Sequence, residues 1–373
     1  MSTSTRPARR TRRARRTTVR AAVAGLALLA AGCGTSGSDT SAGGGGSFTA
    51  PKLSMLKKIG PGEGELNILA WPGYAEDGTN DKSVDWVTPF EKKTGCQVHV
   101  KDFGTSDDAV SLMHAGGYDV VSASGDATLR LISAGDVEPV NTSLVPNYAD
   151  ISPFLKDQSF NSVKGQMYGI PHGWGANLLM YNKSVVKPPP TSWSAVFDGA
   201  STYAGKVTAY DSPIYIADAA LYLMNTKPSL GIKNPYALDK DQLAAAVDVL
   251  KNQKKSIAEY WPDYTTEVND FKTGTAVIGT AWQINANLAA EKAPVATVFP
   301  KDGSTGWSDT WMVGAKSQHK NCAYMWLNWI TSPNVQAQVA QWFGEAPANP
   351  KACAITGRKF CAGYHVTDAA YAK

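Results

Sequence analysis

The chain has 373 residues, 43% of them hydrophobic and 18% charged, which suits a packed body and excludes a disordered one. Its formal charge of +4 hides an asymmetry: residues 1–32 carry eight arginines and no acid, so the remainder holds 28 basic and 32 acidic residues, a net of −4. The basic balance therefore belongs to the N-terminus and lends no support to nucleic-acid binding by the body, which is long enough for about two domain-sized units.

In chain order, the first element reads as an export signal. Arginine-rich residues 6–20 lead into the apolar run Ala21 to Ala31, too short to span a bilayer, which takes about 20 residues. Ala30-Ala31-Gly32-Cys33 resembles a bacterial lipobox, with Ala30 where leucine is commonest; the resemblance implies cleavage after residue 32 and a lipid anchor on Cys33. Arg15-Arg16 also resembles a twin-arginine signal, although several arginine pairs make that match cheap. Residues 33–63 then read as a tether, rich in Gly and Ser up to residue 50 and including Gly43 to Gly46; some 30 residues of such coil reach roughly 30 Å.

Cysteine use agrees with export. Cys96, Cys322, Cys353 and Cys361 remain once Cys33 is set aside, an even number that favours disulfides and allows three pairings. The shortest loop favours Cys353 with Cys361, which leaves Cys96 with Cys322. No metal and no cofactor is expected, because the five histidines show no paired ligand spacing.

From Leu66 the chain alternates strands and helices. Leu66–Trp71 reads as a buried strand, Val84–Lys93 as a helix closed by Gly95, and Cys96–Lys101 as a strand. Ser106-Asp107-Asp108 signals a helix start, Asp119–Ser122 a strand, and Asp126 another helix start. Further on come strand Lys206–Asp211, helix 214–224, a helix begun by Asp239, apolar strand Thr275–Trp282, strand Val295–Pro300, and helices at 320–330 and 334–342. The alternation predicts an α/β fold with parallel-dominated sheets, helices on both faces, and two lobes.

Enzyme motifs occur only as fragments. SxxK and KTG triplets are present, but no SxN or YxN stands between Ser184 and Lys272, and no GxSxG exists. No catalytic residues are assigned. What recurs instead is aromatics and acids at predicted strand ends, where ligands of open α/β sheets bind. These are Trp71 and Tyr74, Ser124 with Asp126, Asp211, Trp282, Trp307 with Asp309, and Glu345. Two acids and two aromatic walls could hold an amine with roughly 8 kcal/mol before ordering costs, near micromolar affinity.

Several stretches carry a family resemblance over roughly residues 64–350: Leu66–Tyr74 ending Trp-x-x-Tyr, Phe90-Glu91-Lys92-Lys93-Thr94-Gly95, Gly117-Tyr118-Asp119-Val120-Val121, Tyr168–Asn177, Phe299–Gly303 and Trp307-Ser308-Asp309. In these the chain resembles the extracellular solute-binding proteins of polyamine (spermidine/putrescine) ABC importers. The resemblance implies a two-lobed periplasmic-binding-protein-like fold of class II type with hinge strands near 170–176 and 300–307. Lobe 1 would span 64–172 plus 306–345, lobe 2 173–305, and a disulfide-linked tail 346–373. It implies a monomer that captures a small cationic solute outside the cytoplasmic membrane or in the periplasm and delivers it to an ABC permease. Trp71, Tyr74, Asp211, Trp282, Trp307 and Asp309 fall on positions that line the amine slot. The pattern departs at Ile214, where a glutamate is expected, and at Asp126 and Glu345, where tyrosines are. The alternatives are a same-fold binder of another solute, such as a quaternary ammonium or an amino acid, and an exported enzyme.

Overall fold

The computed structural model describes residues 49–198 and 202–371, so the export signal, Cys33 and most of the tether lie outside the described residues. The first passage runs β1 (Glu65–Ala70), α1 (Val87–Thr94), β2 (Gln97–Asp102), α2 (Ser106–Ala115), β3 (Val120–Ala123) and α3 (Gly125–Ala134). These match the predicted elements to within three residues. β4 (Val137–Glu138), the hairpin β5 (Ser162–Val163) with β6 (Gln166–Met167), and the long β7 (Gly169–Ala176) complete it. The chain crosses at Asn177 into β8 (Leu178–Asn182), α4 (Ser194–Phe197), β9 (Val207–Tyr210), α5 (Tyr215–Thr226) and α6 (Lys240–Gln253). β10 (Ile257–Trp261), α7 (Tyr264–Thr273), β11 (Ile278–Ala281), α8 (Gln283–Ala289) and β12 (Val295–Val298) follow. It returns over residues 299–305 to β13 (Gly306–Gly314), α9 (Lys320–Ile330), α10 (Pro333–Val339), β14 (Ala346–Pro347), α11 (Cys353–Thr356) and α12 (Arg358–Gly363).

Two large sheets result, one per lobe. The seven-stranded sheet has the order β14-β7-β13-β3-β1-β2 with β4 beside β13, and the five-stranded sheet the order β10-β9-β11-β8-β12. In each, consecutive strand–helix units supply a parallel centre (β2-β1-β3 and β10-β9-β11), and antiparallel strands from the crossings extend it. Strand period two feeds two helical layers. Ile68, Val120, Trp311 and Val313 pack toward α1 and α9, while Leu69, Val121 and Met312 pack toward α2 and α3. In the second sheet Leu179 and Tyr181 join the core of α5 and α6, and Met180 joins that of α7 and α8.

Local signals act as expected at several helix ends. Asp239 makes a capping box with Gln242 at the start of α6, and Gly95 and Gly274 close α1 and α7 in the left-handed conformation. The cap of α2 is Thr105, whose side chain accepts from the Asp108 N–H, rather than Ser106. Both disulfides pair as read from the sequence, Cys96 with Cys322 and Cys353 with Cys361.

The crossings differ slightly from the expected 170–176 and 300–307. β7 stays paired with β13 through Ala176, so the turn into the second sheet is a single residue, Asn177. Its N–H donates to the Thr305 carbonyl at 3.0 Å and its side-chain amide to the Thr305 hydroxyl at 2.6 Å, tying the two crossings together. Likewise Trp307-Ser308-Asp309 lies inside β13 rather than after a strand. The segment from residue 346 does not stand apart either, because β14 adds to the edge of β7.

Candidate functional site

The site is built where both sheets present strand ends to one another. Trp71 follows β1, its N–H donating to the Ser122 hydroxyl at 3.0 Å, and a turn returns the Tyr74 N–H to the Trp71 carbonyl at 3.1 Å. That turn sends Tyr74 inward, where it is 1% exposed. Its ring lies 4.3 Å from the His172 ring and 4.8 Å from that of Phe343.

Asp309 reaches the same place from β13. Its partner on β7 is Gly173, and Thr310 pairs with Pro171, so His172 is the extra residue of a β-bulge. Glu345 arrives from the other side. A π-helical turn, Ala340–Gly344, ends in Gly344 at φ 78°, and Glu345 folds its carboxyl onto Gly173. A Cβ at Gly173 would overlap that carboxyl, and one at Gly175 would lie 2.8 Å from the Trp307 ring. The alternate glycines of Gly173-Trp174-Gly175 therefore clear one strand face for Glu345 and Trp307. Gly173→Ala is expected to cost about 1–3 kcal/mol through overpacking and to weaken ligand binding at least tenfold. A thermal melt and a binding titration check this, and wild-type values for both would refute it.

The polar centre is a chain of three groups. The Tyr74 hydroxyl donates to Asp309 Oδ2 at 2.8 Å and lies 3.4 Å from Glu345 Oε2. Burial pushes the Asp309 carboxyl up to about 6, assisted by Asp126, while hydroxyls of Ser124 and Tyr74 pull it back. Burial, then Asp309, hold Glu345 well above the usual carboxylate range. Burial also drives His172 down to about 3, leaving it neutral, with Nε2 3.6 Å from Glu345 Oε1. Among the described residues no lysine or arginine pairs with either acid. Asp309 Oδ1, Glu345 Oε1 and the indole nitrogens of Trp71 and Trp307 are buried without a hydrogen-bond partner, which is costly unless something else satisfies them.

Aromatic walls enclose this centre. Trp282 opens α8, packs against the cores of both lobes, and lies 6.3 Å from Trp71 and 4.8 Å from Trp261. Its indole N–H donates to Asn177 Oδ1 at 3.1 Å, so the crossing residue fixes the wall. Asp126 in the first turn of α3 accepts from Ser106 at 3.0 Å and from Ser212 at 3.2 Å; the second bond joins the lobes. Burial raises the Asp126 carboxyl and those hydroxyls oppose the shift.

Of the nine residues singled out in the sequence, Tyr74, Ser124, Asp126, Asp309 and Glu345 thus form one connected cluster, walled by Trp71, Trp282 and Trp307. Asp211 does not reach it. It is exposed and lines an adjoining groove of about 380 Å3 with Thr105, Asp107, Tyr210 and Tyr260. Ile214, at the departure from the expected glutamate, precedes α5 and packs on the second lobe's core. His172, Phe343, Ser212 and Asn177 were not singled out. The alternate glycines around Trp174 were the available signal for a close approach on β7. Among the described residues no group of three or more His, Cys, Asp or Glu could hold a metal, and no helix is long and apolar enough to cross a membrane.

Comparison with known proteins places these observations. The family of bacterial extracellular solute-binding proteins matches residues 85–357. The spermidine/putrescine-binding periplasmic protein of Escherichia coli is 24% identical over 289 residues, covering 76% of this chain and 77% of its own. A Listeria monocytogenes chain described as a spermidine/putrescine ABC transporter superposes with a TM-score of 0.69 at 21% identity, over 83% of this chain and 91% of that one. The binding protein MotA of Agrobacterium tumefaciens, solved with glucopine, gives a TM-score of 0.65 at 19% identity, over 80% and 88% of the two chains.

Proposed function

The chain belongs to the bacterial extracellular solute-binding protein family, and from that premise we propose that it captures a polyamine-type cation between its lobes for delivery to an ABC permease. The observation that carries this reading is the buried pair Asp309 and Glu345 on the Tyr74 hydroxyl, with unpartnered acceptors and, among the described residues, no basic side chain paired to it. An ammonium group offers three N–H donors and a positive charge, which is what that pair lacks. Trp71, Trp282 and Trp307 would flank the apolar stem, each indole face attracting a cation by about 0.5–2 kcal/mol. Asp126 and Ser124 extend the acidic end, and Asp211 would meet a longer amine in the adjoining groove. The spermidine/putrescine binders among its relatives support the same class. The protein acts as a binder without catalysis, as a monomer held by a lipid on Cys33 at the outer face of the cytoplasmic membrane, with the hinge at Asn177 and residues 299–305.

Calorimetry with putrescine, spermidine, spermine and agmatine tests this against glycine betaine and γ-aminobutyrate. The polyamines and agmatine are expected to bind near micromolar Kd, γ-aminobutyrate far more weakly because its carboxylate meets an acidic cleft, and betaine not at all, since a quaternary ammonium has no N–H for the orphaned oxygens. No heat with any amine, or a preference for betaine, would refute the reading.

A further inference from the structure

We infer that Glu345 carries a proton in the ligand-free protein and releases it to solvent when a cation enters, so that capture of one cation expels one proton. The inference rests on the reading of the cleft as a cation site, and it starts from a count of hydrogens. Tyr74 has a single hydroxyl hydrogen and two carboxylates within reach, at 2.8 Å and 3.4 Å. The shorter contact assigns that hydrogen to Asp309. The longer one is attractive only if Glu345 is the donor, with its own hydrogen directed at Tyr74 Oη.

Among the described residues no positive charge faces Glu345 to hold it ionised. Facing it are Tyr74 from the turn after β1, Asp309 from β13, His172 from the bulge in β7, and Tyr364 beyond α12. His172 is neutral because burial drives it down, and Tyr364 is neutral because burial drives it up. The remaining group, Asp309, is an acid, and behind it stands Asp126. Glu345 is 1% exposed and Asp309 4%. Two buried carboxylates sharing one hydroxyl do not both ionise without a cation. Burial and the neighbouring acid hold Glu345 well above the usual carboxylate range, and the single Tyr74 hydrogen goes to Asp309, so the proton of the pair resides on Glu345.

Entry of an ammonium group changes this balance. The O–H bond of Glu345 breaks, the proton leaves to solvent, and the carboxylate accepts an N–H in its place. One positive charge enters as another departs, so the buried cluster keeps its net charge. The ligand does not titrate here, since an aliphatic ammonium, like that of lysine, loses its proton only near pH 10.

The test is calorimetry with putrescine at pH 7.5 in two buffers of different ionisation enthalpy. Close to one proton released per amine bound is expected, with affinity rising as pH rises, by up to about tenfold per unit while Glu345 holds its proton. Glu345→Gln should bind amine with release near zero. A ligand-independent readout is the infrared band of protonated carboxyl groups at pH 7.5. Wild type should exceed Glu345→Gln by one carboxyl, and putrescine should remove that difference. Amine binding without proton release, or no band difference, overturns the inference and leaves the amine reading standing. The band difference without any amine binding supports the proton on Glu345 and overturns the amine reading.

Discussion

Asp309→Asn is expected to weaken amine binding by about 100-fold or more while raising the melting temperature of the ligand-free protein at pH 7.5. The substitution keeps shape and leaves an oxygen to accept from Tyr74, so the loss isolates charge. Truncating one partner of a buried, hydrogen-bonded charge pair costs about 2–5 kcal/mol, and each 1.4 kcal/mol is a factor of ten. The stability change has the opposite sign. Burial lifts the Asp309 carboxyl to about 6. A carboxylate raised in this way stabilises the fold only at low pH, and that contribution is lost as pH rises through about 6. At pH 7.5 the native state therefore bears a buried charge that asparagine removes, a gain of up to about 3 kcal/mol. At pH 4 the gain should vanish. Unchanged affinity would refute the placement of the cation, and a melting point lowered at pH 7.5 would refute the account of the charge.

Loss of the Cys96–Cys322 disulfide should cost far more stability than loss of Cys353–Cys361. The first closes a sequence separation of 226 residues, the second a separation of 8. Chain-entropy arguments give about 5 kcal/mol for the long loop and about half that for the short one. Both sulfurs of the long link sit in the core, where Cys322 of α9 and Cys96 are fully buried. Glu63 meets the same point, accepting the N–H groups of Asn321 and Cys322 at 2.9 Å. A double replacement of Cys96 and Cys322 by alanine should lower Tm by about 5–10 °C. Equal losses from the two pairs in parallel melts would count against this account.

Both expectations depend on features of unequal legibility. The repeating strands and helices could be read because their periods are local: Leu66–Trp71 and Thr275–Trp282 are short, mostly apolar runs, and Asp239 announces a capped helix. β13 is not legible because Gly306–Asp309 is glycine-led and lacks an apolar alternation, and only its antiparallel pairing with β7 makes it a strand. His172 is not legible as a site residue, since a bulge is a mismatch between two strands and has no signature in one of them. Asp211 stood out as an acid after a strand, yet the neighbouring Ser212 makes the bond across the lobes.

The sequence by itself determined the α/β alternation in two lobes, a favoured cysteine pairing and the kinds of side chain available to a ligand. Tertiary structure decided which of them meet. Tyr74, Asp309 and Glu345 are far apart along the chain, and whether two acids share one hydroxyl depends on a turn, a bulge and a π-helical turn arriving together. Local chemistry sets what a residue can do; burial and proximity, which shift its charge, exist only once distant segments pack.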